Sequence, residues 1–261
     1  TAPTTLRLTE TGAHSAVEDT IHANGLSAPV SVGEGELTVA GLTALSSCDW
    51  PGKLVATVFL QGCPWRCTYC HNPALLDPRA PGQVSWQQVR DLLRRRRGLL
   101  DGLVFSGGEP TRQPSLPAAM REVRELGFGV GLHTGGAYPS RLAGLLPLVD
   151  WVGLDIKALP DDYHRITRVG ASGTRAFASL DLLVASGVDH EVRITVDPTV
   201  HTAEHVERLV GLVSSAGARR TVLQEVRPQG TRPEYAAALA GRRLRDILTT
   251  APVNVTLRTA N

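Results

Sequence analysis

The chain has 261 residues, of which 42% are hydrophobic and 20% charged, and a net charge of +2 at neutral pH. That length suits one α/β domain with a sizeable core, in a composition ordinary for a soluble protein. No apolar run approaches the roughly 20 residues of a membrane span, no basic-then-apolar leader opens the chain, and the balance of charge singles out no nucleic-acid or membrane partner. A cytoplasmic location is the expectation, and free thiols gathered in one loop fit a reducing compartment.

Residues 1–35 are polar, rich in Gly, Ser, Thr and Ala, with weak periodicity. They read as an N-terminal extension, and residues 36–261 as one domain. From Leu37 onward strand-like runs fall at 54–60, 102–105, 129–133, 151–156, 191–196 and 221–226. Amphipathic segments separate them. Ser85-Trp-Gln-Gln88 is a capping-box start, and further helices are expected at 115–126, 174–186, 202–216 and 232–249, the first three followed by Gly127, Gly187 and Gly217. Strands alternating with helices of this length imply βαβ crossovers and a parallel sheet. Six units are too few for a closed eight-stranded barrel.

In such sheets functional residues gather where strands end, and the unusual residues of this chain fall there. Cys63-Pro-Trp-Arg-Cys67-Thr-Tyr-Cys70 follows the first run, placing three of the four cysteines in a C-x3-C-x2-C loop. Thiolates ligate iron–sulfur clusters, and three of them leave one corner of a cubane open to a small molecule. A disulfide within so short a loop would staple almost nothing. A zinc site recruiting His71 is the competing reading, although zinc knuckles usually draw on a second pair of ligands and the only other cysteine is Cys48.

Gly107-Gly108-Glu109 follows the second run. Two glycines let a ligand approach the backbone, and a carboxylate beside them can pair with an ammonium. His133 and Thr134 end the third run. Asp155 and Lys157, two apart on the fourth, share a face. Arg193 lies within the fifth, and Arg227 follows the sixth. Of 27 basic residues only Lys53 and Lys157 are lysines, and the two cations are not chemically interchangeable. The Arg94–Arg97 run sits late in a helix without interleaved aromatics, where cations complement the dipole.

The cysteine spacing, with Tyr69 just before the last cysteine, resembles the radical S-adenosylmethionine (SAM) superfamily. Gly107-Gly108-Glu109 is similar to that superfamily's Gly-Gly-Glu motif. His71-Asn72-Pro73 resembles the glycyl-radical enzyme activases. Cys48-Asp-Trp-Pro-Gly-Lys53, Phe59-Leu-Gln-Gly-Cys63, the segment 96–102, the segment 149–157 and the segment 192–198 are similar to activating proteins of anaerobic ribonucleoside-triphosphate reductase. The resemblance runs from about Gly41 to Gly230. It implies an open, partial (β/α)6 barrel with a curved parallel sheet. It also implies a [4Fe–4S] cluster on Cys63, Cys67 and Cys70, whose open iron is chelated by SAM. Reductive cleavage would give methionine and a 5′-deoxyadenosyl radical, which abstracts hydrogen from the substrate. SAM contacts are implied for Tyr69, Gly107, Gly108, Glu109, His133, Thr134, Asp155, Lys157 and Arg193. Asp49 is implied to face the partner's glycine loop, with capping of the Trp-Pro-Gly turn as its alternative. The partner would be a glycyl-radical enzyme such as anaerobic ribonucleotide reductase, and the electron donor a flavodoxin or ferredoxin. A small-molecule or peptide substrate for the same chemistry, or a non-catalytic iron–sulfur sensor, are the competing functions.

Overall fold

In the computed structural model, which describes residues 36–250 and 252–259, the apolar runs become one eight-stranded sheet. The expected extension over residues 1–35 lies outside the described residues. β1 (Val39–Ser46) pairs antiparallel with β2 (Val55–Leu60), and from there the chain alternates: α1 (Trp86–Arg95), β3 (Gly102–Gly107), α2 (Leu116–Glu125), β4 (Gly129–Thr134), α3 (Pro139–Leu145), β5 (Trp151–Asp155), α4 (Tyr163–Thr167), α5 (Ser172–Ser186), β6 (Asp189–Val196), α6 (Ala203–Ser215), β7 (Thr221–Glu225), α7 (Pro233–Leu239) and β8 (Val255–Arg258). The strands lie in the sheet in sequence order. β2 through β8 are parallel, and the register sets Leu60 beside Gly107 and Asp155 beside Arg193.

Two strands and two helices escape the sequence reading. β1 reads Val-Ala-Gly-Leu-Thr-Ala-Leu-Ser and is mostly half-buried, so it shows no apolar run; its place comes from pairing with β2. β8 is a four-residue edge strand without a fully buried residue. α3 and α4 are too short to show a period. The helix expected over 232–249 stops at Leu239, because Ala240 and Gly241 take left-handed φ values of 51° and 72°. A 3₁₀ turn at Leu244–Asp246 follows. At the start of α1 the expected capping box is formed. Ser85 Oγ accepts from Gln88 N at 3.2 Å, and Gln88 Oε1 accepts from Ser85 N at 2.8 Å.

The sheet curls strongly. Asp49 precedes β2, and Arg193 lies on β6, four strands away. At the usual strand spacing a flat sheet would hold them about 19 Å apart, yet Arg193 Nη2 reaches Asp49 O at 3.4 Å. The convex face is covered by helices that bury Val89, Leu93, Met120, Val123, Leu183 and Val213. The concave face is filled only in its lower half. There Trp50 stacks on Trp151, with ring centroids 5.7 Å apart, a contact worth about 0.5–1.5 kcal/mol beyond its buried area. Gly131 makes room for that stack, since a Cβ on it would stand 2.9 Å from the Trp50 ring. The upper half, where the parallel strands end, is left open.

Candidate functional site

The open half is a cavity of about 420 Å³ whose wall includes Cys63, Cys67 and Cys70. All three thiols are free. The loop that carries them is fixed at both ends. Gly62, at φ 94°, turns the chain out of β2, and the buried Gln61 amide donates to the carbonyls of Ala74 and Asp77 at 3.0 and 2.8 Å. Farther along, Arg66 N and Thr68 N donate to the carbonyls of Thr167 and Ile166 in α4, at 2.9 and 3.0 Å. Trp65 is buried against Gly135, where a Cβ would lie 2.6 Å from its ring. Cys48 stays outside this group, exposed in the β1–β2 connection beside Ser46.

Burial, aided by the Glu109 carboxylate, pushes the Cys63 thiol up to about 12, and burial alone dominates in pushing Cys67 to about 11. Thiols in that state become thiolates only against a metal's positive charge. Among the described residues no three His, Cys, Asp or Glu side chains crowd one point as a mononuclear metal requires. Three soft donors spread around one cavity suit a polynuclear iron–sulfur cluster, in which each thiolate holds a different iron. The donor set therefore fits such a cluster.

Glu109 lines the same cavity and is almost completely buried. Its Oε1 accepts from Thr111 N at 3.1 Å, Thr111 Oγ1 at 2.6 Å and Thr134 Oγ1 at 2.7 Å. Oε2 accepts only from Gly135 N, at 2.9 Å, among the described residues. Desolvation raises its pKa above the usual carboxylate value, against the pull of these donors. Oε2 thus keeps acceptor capacity toward the cavity, the feature an ammonium ligand would use.

The two glycines before Glu109 answer a packing demand. A Cβ on Gly107 would stand 2.2 Å from Leu60 N, and one on Gly108 2.4 Å from Gly62 O. Gly108 N and Glu109 N donate to Leu60 O and Gly62 O, both at 2.9 Å. Bare backbone lets the Glu109 loop zip onto the start of the cysteine loop, so the two motifs are held as one unit.

Asp155 and Lys157 both line the cavity and form an ion pair, Nζ to Oδ2 at 3.1 Å. Burial disfavours the Lys157 ammonium, but Asp155 together with Tyr69, Cys67 and Tyr163 outweighs it and holds the lysine well above its ordinary value. Burial likewise opposes ionisation of Asp155, and Lys157 and Arg193 overcome it. The ammonium lies 5.6 Å from the centroid of the Tyr69 ring, which closes the cavity from the cysteine loop. Arg227 is a further wall residue.

His133, Thr134, Arg193 and Asp49 stand behind the wall rather than in it. Thr134 reaches the cavity through Glu109. His133 reaches it through Ser106, whose Oγ is 3.2 Å from Nδ1. The His133 Nε2 lies 2.7 Å from Asp49 O and 3.0 Å from Arg193 Nη2, an acceptor and a donor on the same ring nitrogen. Arg193 is drawn downward by Glu191, at 2.9 Å, and its guanidinium lies over Trp151, 5.3 Å from the ring centroid. The Asp49 carboxylate accepts from Thr57 Oγ1 at 2.7 Å. The physical reason is the filled lower half of the curl: these side chains satisfy one another beneath the cavity. Lys53 pairs with Asp101 at 3.7 Å, both half-exposed, away from the cavity wall.

Trp65, Thr195, Gln224 and Arg258 line the cavity without having drawn notice in the sequence. Thr195 could have been read from strand alternation with Arg193. Arg258 could not, because β8 itself carries no pattern.

Residues 57–213 match the Radical SAM superfamily. A Methanocaldococcus jannaschii protein described as a glycyl-radical enzyme activating enzyme is 31% identical over 182 residues, covering 67% of this chain and 75% of the relative. The pyruvate formate-lyase-activating enzyme of Clostridium pasteurianum is 29% identical over 184 residues, covering 68% of this chain and 76% of its own length. Among solved structures, Streptococcus suis SuiB bound to S-adenosylmethionine shares the fold with a TM-score of 0.54 at 14% identity, over 77% of this chain and 48% of that one. The chain thus spans about half the length of that structure. Among the described residues no helix is long and apolar enough to cross a membrane.

Proposed function

Because the chain belongs to the radical SAM superfamily, and within it to the glycyl-radical enzyme activases, we propose that its partner is an anaerobic ribonucleoside-triphosphate reductase. The enzyme is an oxidoreductase that uses a [4Fe–4S] cluster and S-adenosylmethionine. One observation carries the reading of its site: three free thiols and a buried carboxylate with an open oxygen share one cavity at the strand ends.

Cys63, Cys67 and Cys70 would hold the cluster. When bound, the cluster and SAM supply an electron and a sulfonium whose cleavage yields a 5′-deoxyadenosyl radical. The protein's part is to bind, orient and shield. Glu109 Oε2 accepts from the ammonium of the methionyl group, and its three fixed donors on Oε1 keep it from turning away. Asp155 and Lys157 present an anion and a cation to the polar parts of SAM. Tyr69 and Trp65 exclude water above the cysteine loop. His133, Thr134, Arg193 and Asp49 act as positioning residues, tying Ser106, Glu109 and the barrel floor together. Similarity of the segments 48–53, 96–102 and 149–157 to reductase activators supports that partner.

The test is anaerobic electron paramagnetic resonance after mixing reconstituted, reduced enzyme with SAM and the anaerobic ribonucleotide reductase of the same organism. A glycyl doublet on the reductase with stoichiometric 5′-deoxyadenosine is expected. Deoxyadenosine without the doublet would overturn the partner assignment and direct the search to another glycyl-radical enzyme.

A further inference from the structure

A second cavity, of about 660 Å³, lies on the other side of the cysteine loop. Its wall carries Arg66, Arg165, Arg168 and Arg232, with Glu234 the only carboxylate among the described residues. Arg165 leans on Asp162 at 3.4 Å, whereas Arg66, Arg168 and Arg232 form no ion pair among the described residues. Four guanidinium groups facing one hollow, against Glu234 and the Asp162 partner of Arg165, leave a surface with excess positive charge.

The cysteine loop is the partition between the two cavities. Cys67 and Tyr69 line the first, while the alternate residues Arg66 and Thr68 line the second. Behind them Tyr235, a wall residue of the second cavity, meets Tyr69 edge-on, with ring centroids 6.4 Å apart. The arginines also keep register with the loop, since Arg66 N and Thr68 N are bonded to the carbonyls of α4, the helix that carries Arg165 and is capped by Arg168. Arg168 holds φ 61°, a left-handed conformation that costs an arginine free energy.

We propose that this arginine-lined hollow is the docking site of the electron donor, a small one-electron carrier protein with an acidic rim around its redox centre. The inference rests on the activase reading. The mouth of the first cavity has to admit SAM and the partner's glycine segment, so a carrier approaches from elsewhere. The hollow brings it to the backs of the cluster ligands, one chain's thickness away. The reduced carrier gives up one electron and is oxidised by one equivalent; the cluster behind the loop gains that electron, and no proton or group moves. Charge complementarity of this kind steers association and weakens with salt.

An acidic flavodoxin is the probe. Calorimetric titration into the wild-type protein at low and raised salt should show saturable binding that weakens as salt rises. Reversing two charges in Arg168→Glu/Arg232→Glu should weaken binding by roughly tenfold or more, while Arg94→Glu/Arg97→Glu on α1 should leave it unchanged. In stopped-flow reduction of the cluster, the first double variant should be slow with flavodoxin hydroquinone and normal with dithionite. Equal flavodoxin binding by wild type and Arg168→Glu/Arg232→Glu would overturn the proposal. So would arginine-dependent binding of ATP with no flavodoxin binding, which would make the hollow a nucleotide site. If the wild type cleaves no SAM even with dithionite, the activase reading fails instead.

Discussion

The Thr134 hydroxyl donates to Glu109 Oε1 across 2.7 Å, joining the end of β4 to the loop that follows β3. With Thr111 and Gly135 it fixes a buried carboxylate whose charge no cation among the described residues neutralises directly. A ligand ammonium would complete it.

Glu109→Gln keeps the shape and removes the charge. SAM affinity should fall at least about tenfold, in line with a lost charge-assisted bond, while the cluster's absorbance stays intact. Equilibrium binding of SAM to the reconstituted variant measures this, and unchanged affinity would reject the assignment of Glu109 to the ammonium.

Cys67→Ala removes one of three thiols on the cavity wall. Iron and sulfide content after anaerobic reconstitution should collapse. A full complement of iron in the variant would reject the ligand set.

Gly108→Ala places a methyl group 2.4 Å from Gly62 O, where both partners are backbone. The strain should cost about 1–3 kcal/mol of stability and loosen the cysteine loop with it. Denaturant unfolding reads the first effect, and the yield of cluster on reconstitution reads the second.

Glu191 is buried beneath the cavity, 2.9 Å from Arg193 and 3.2 Å from Arg258. Arg220 approaches it at 3.4 Å. Glu191→Gln strands the buried Arg193 and frees the β8 edge, at a cost of about 3–5 kcal/mol dominated by Arg193. Arg220 and Arg258 reach solvent and should add little. The shift in urea midpoint measures it.

Burial, and then the neighbouring Arg193, hold His133 well below the usual histidine pKa. The unfolded chain therefore binds more protons than the folded one below about pH 6.5, and stability falls as pH drops through that value. Glu109, raised by burial, contributes the opposite slope. The comparison to make is between wild type and His133→Gln, whose stability should depend less on pH between about 6.5 and 5. Parallel pH profiles would show that His133 is charged in the folded protein.

The six inner strands, the capping box of α1 and the placing of both motifs at strand ends were legible because each is a local pattern: a buried run, an Ser-x-x-Gln spacing, a polar cluster after an apolar one. β1 and β8 were not legible, because a half-exposed edge strand is selected by its neighbour's free hydrogen-bonding groups rather than by its own sequence. The ligand types were also local facts. Three thiols in C-x3-C-x2-C, and a glutamate after two glycines, carry their chemistry wherever the chain takes them. What only the tertiary structure decided is which residues meet. The curl of the sheet brings Asp49 and Arg193 together across four strands and turns His133 and Arg193 into a floor beneath the cavity. It also sets Gly107 against the β2 backbone and Gly108 against Gly62 just beyond it, and gives the cysteine loop a second, cationic side. Sequence spacing specifies directions within one strand or loop, whereas distances between strands follow from how strongly the packed sheet twists and closes, a property of all its strands at once.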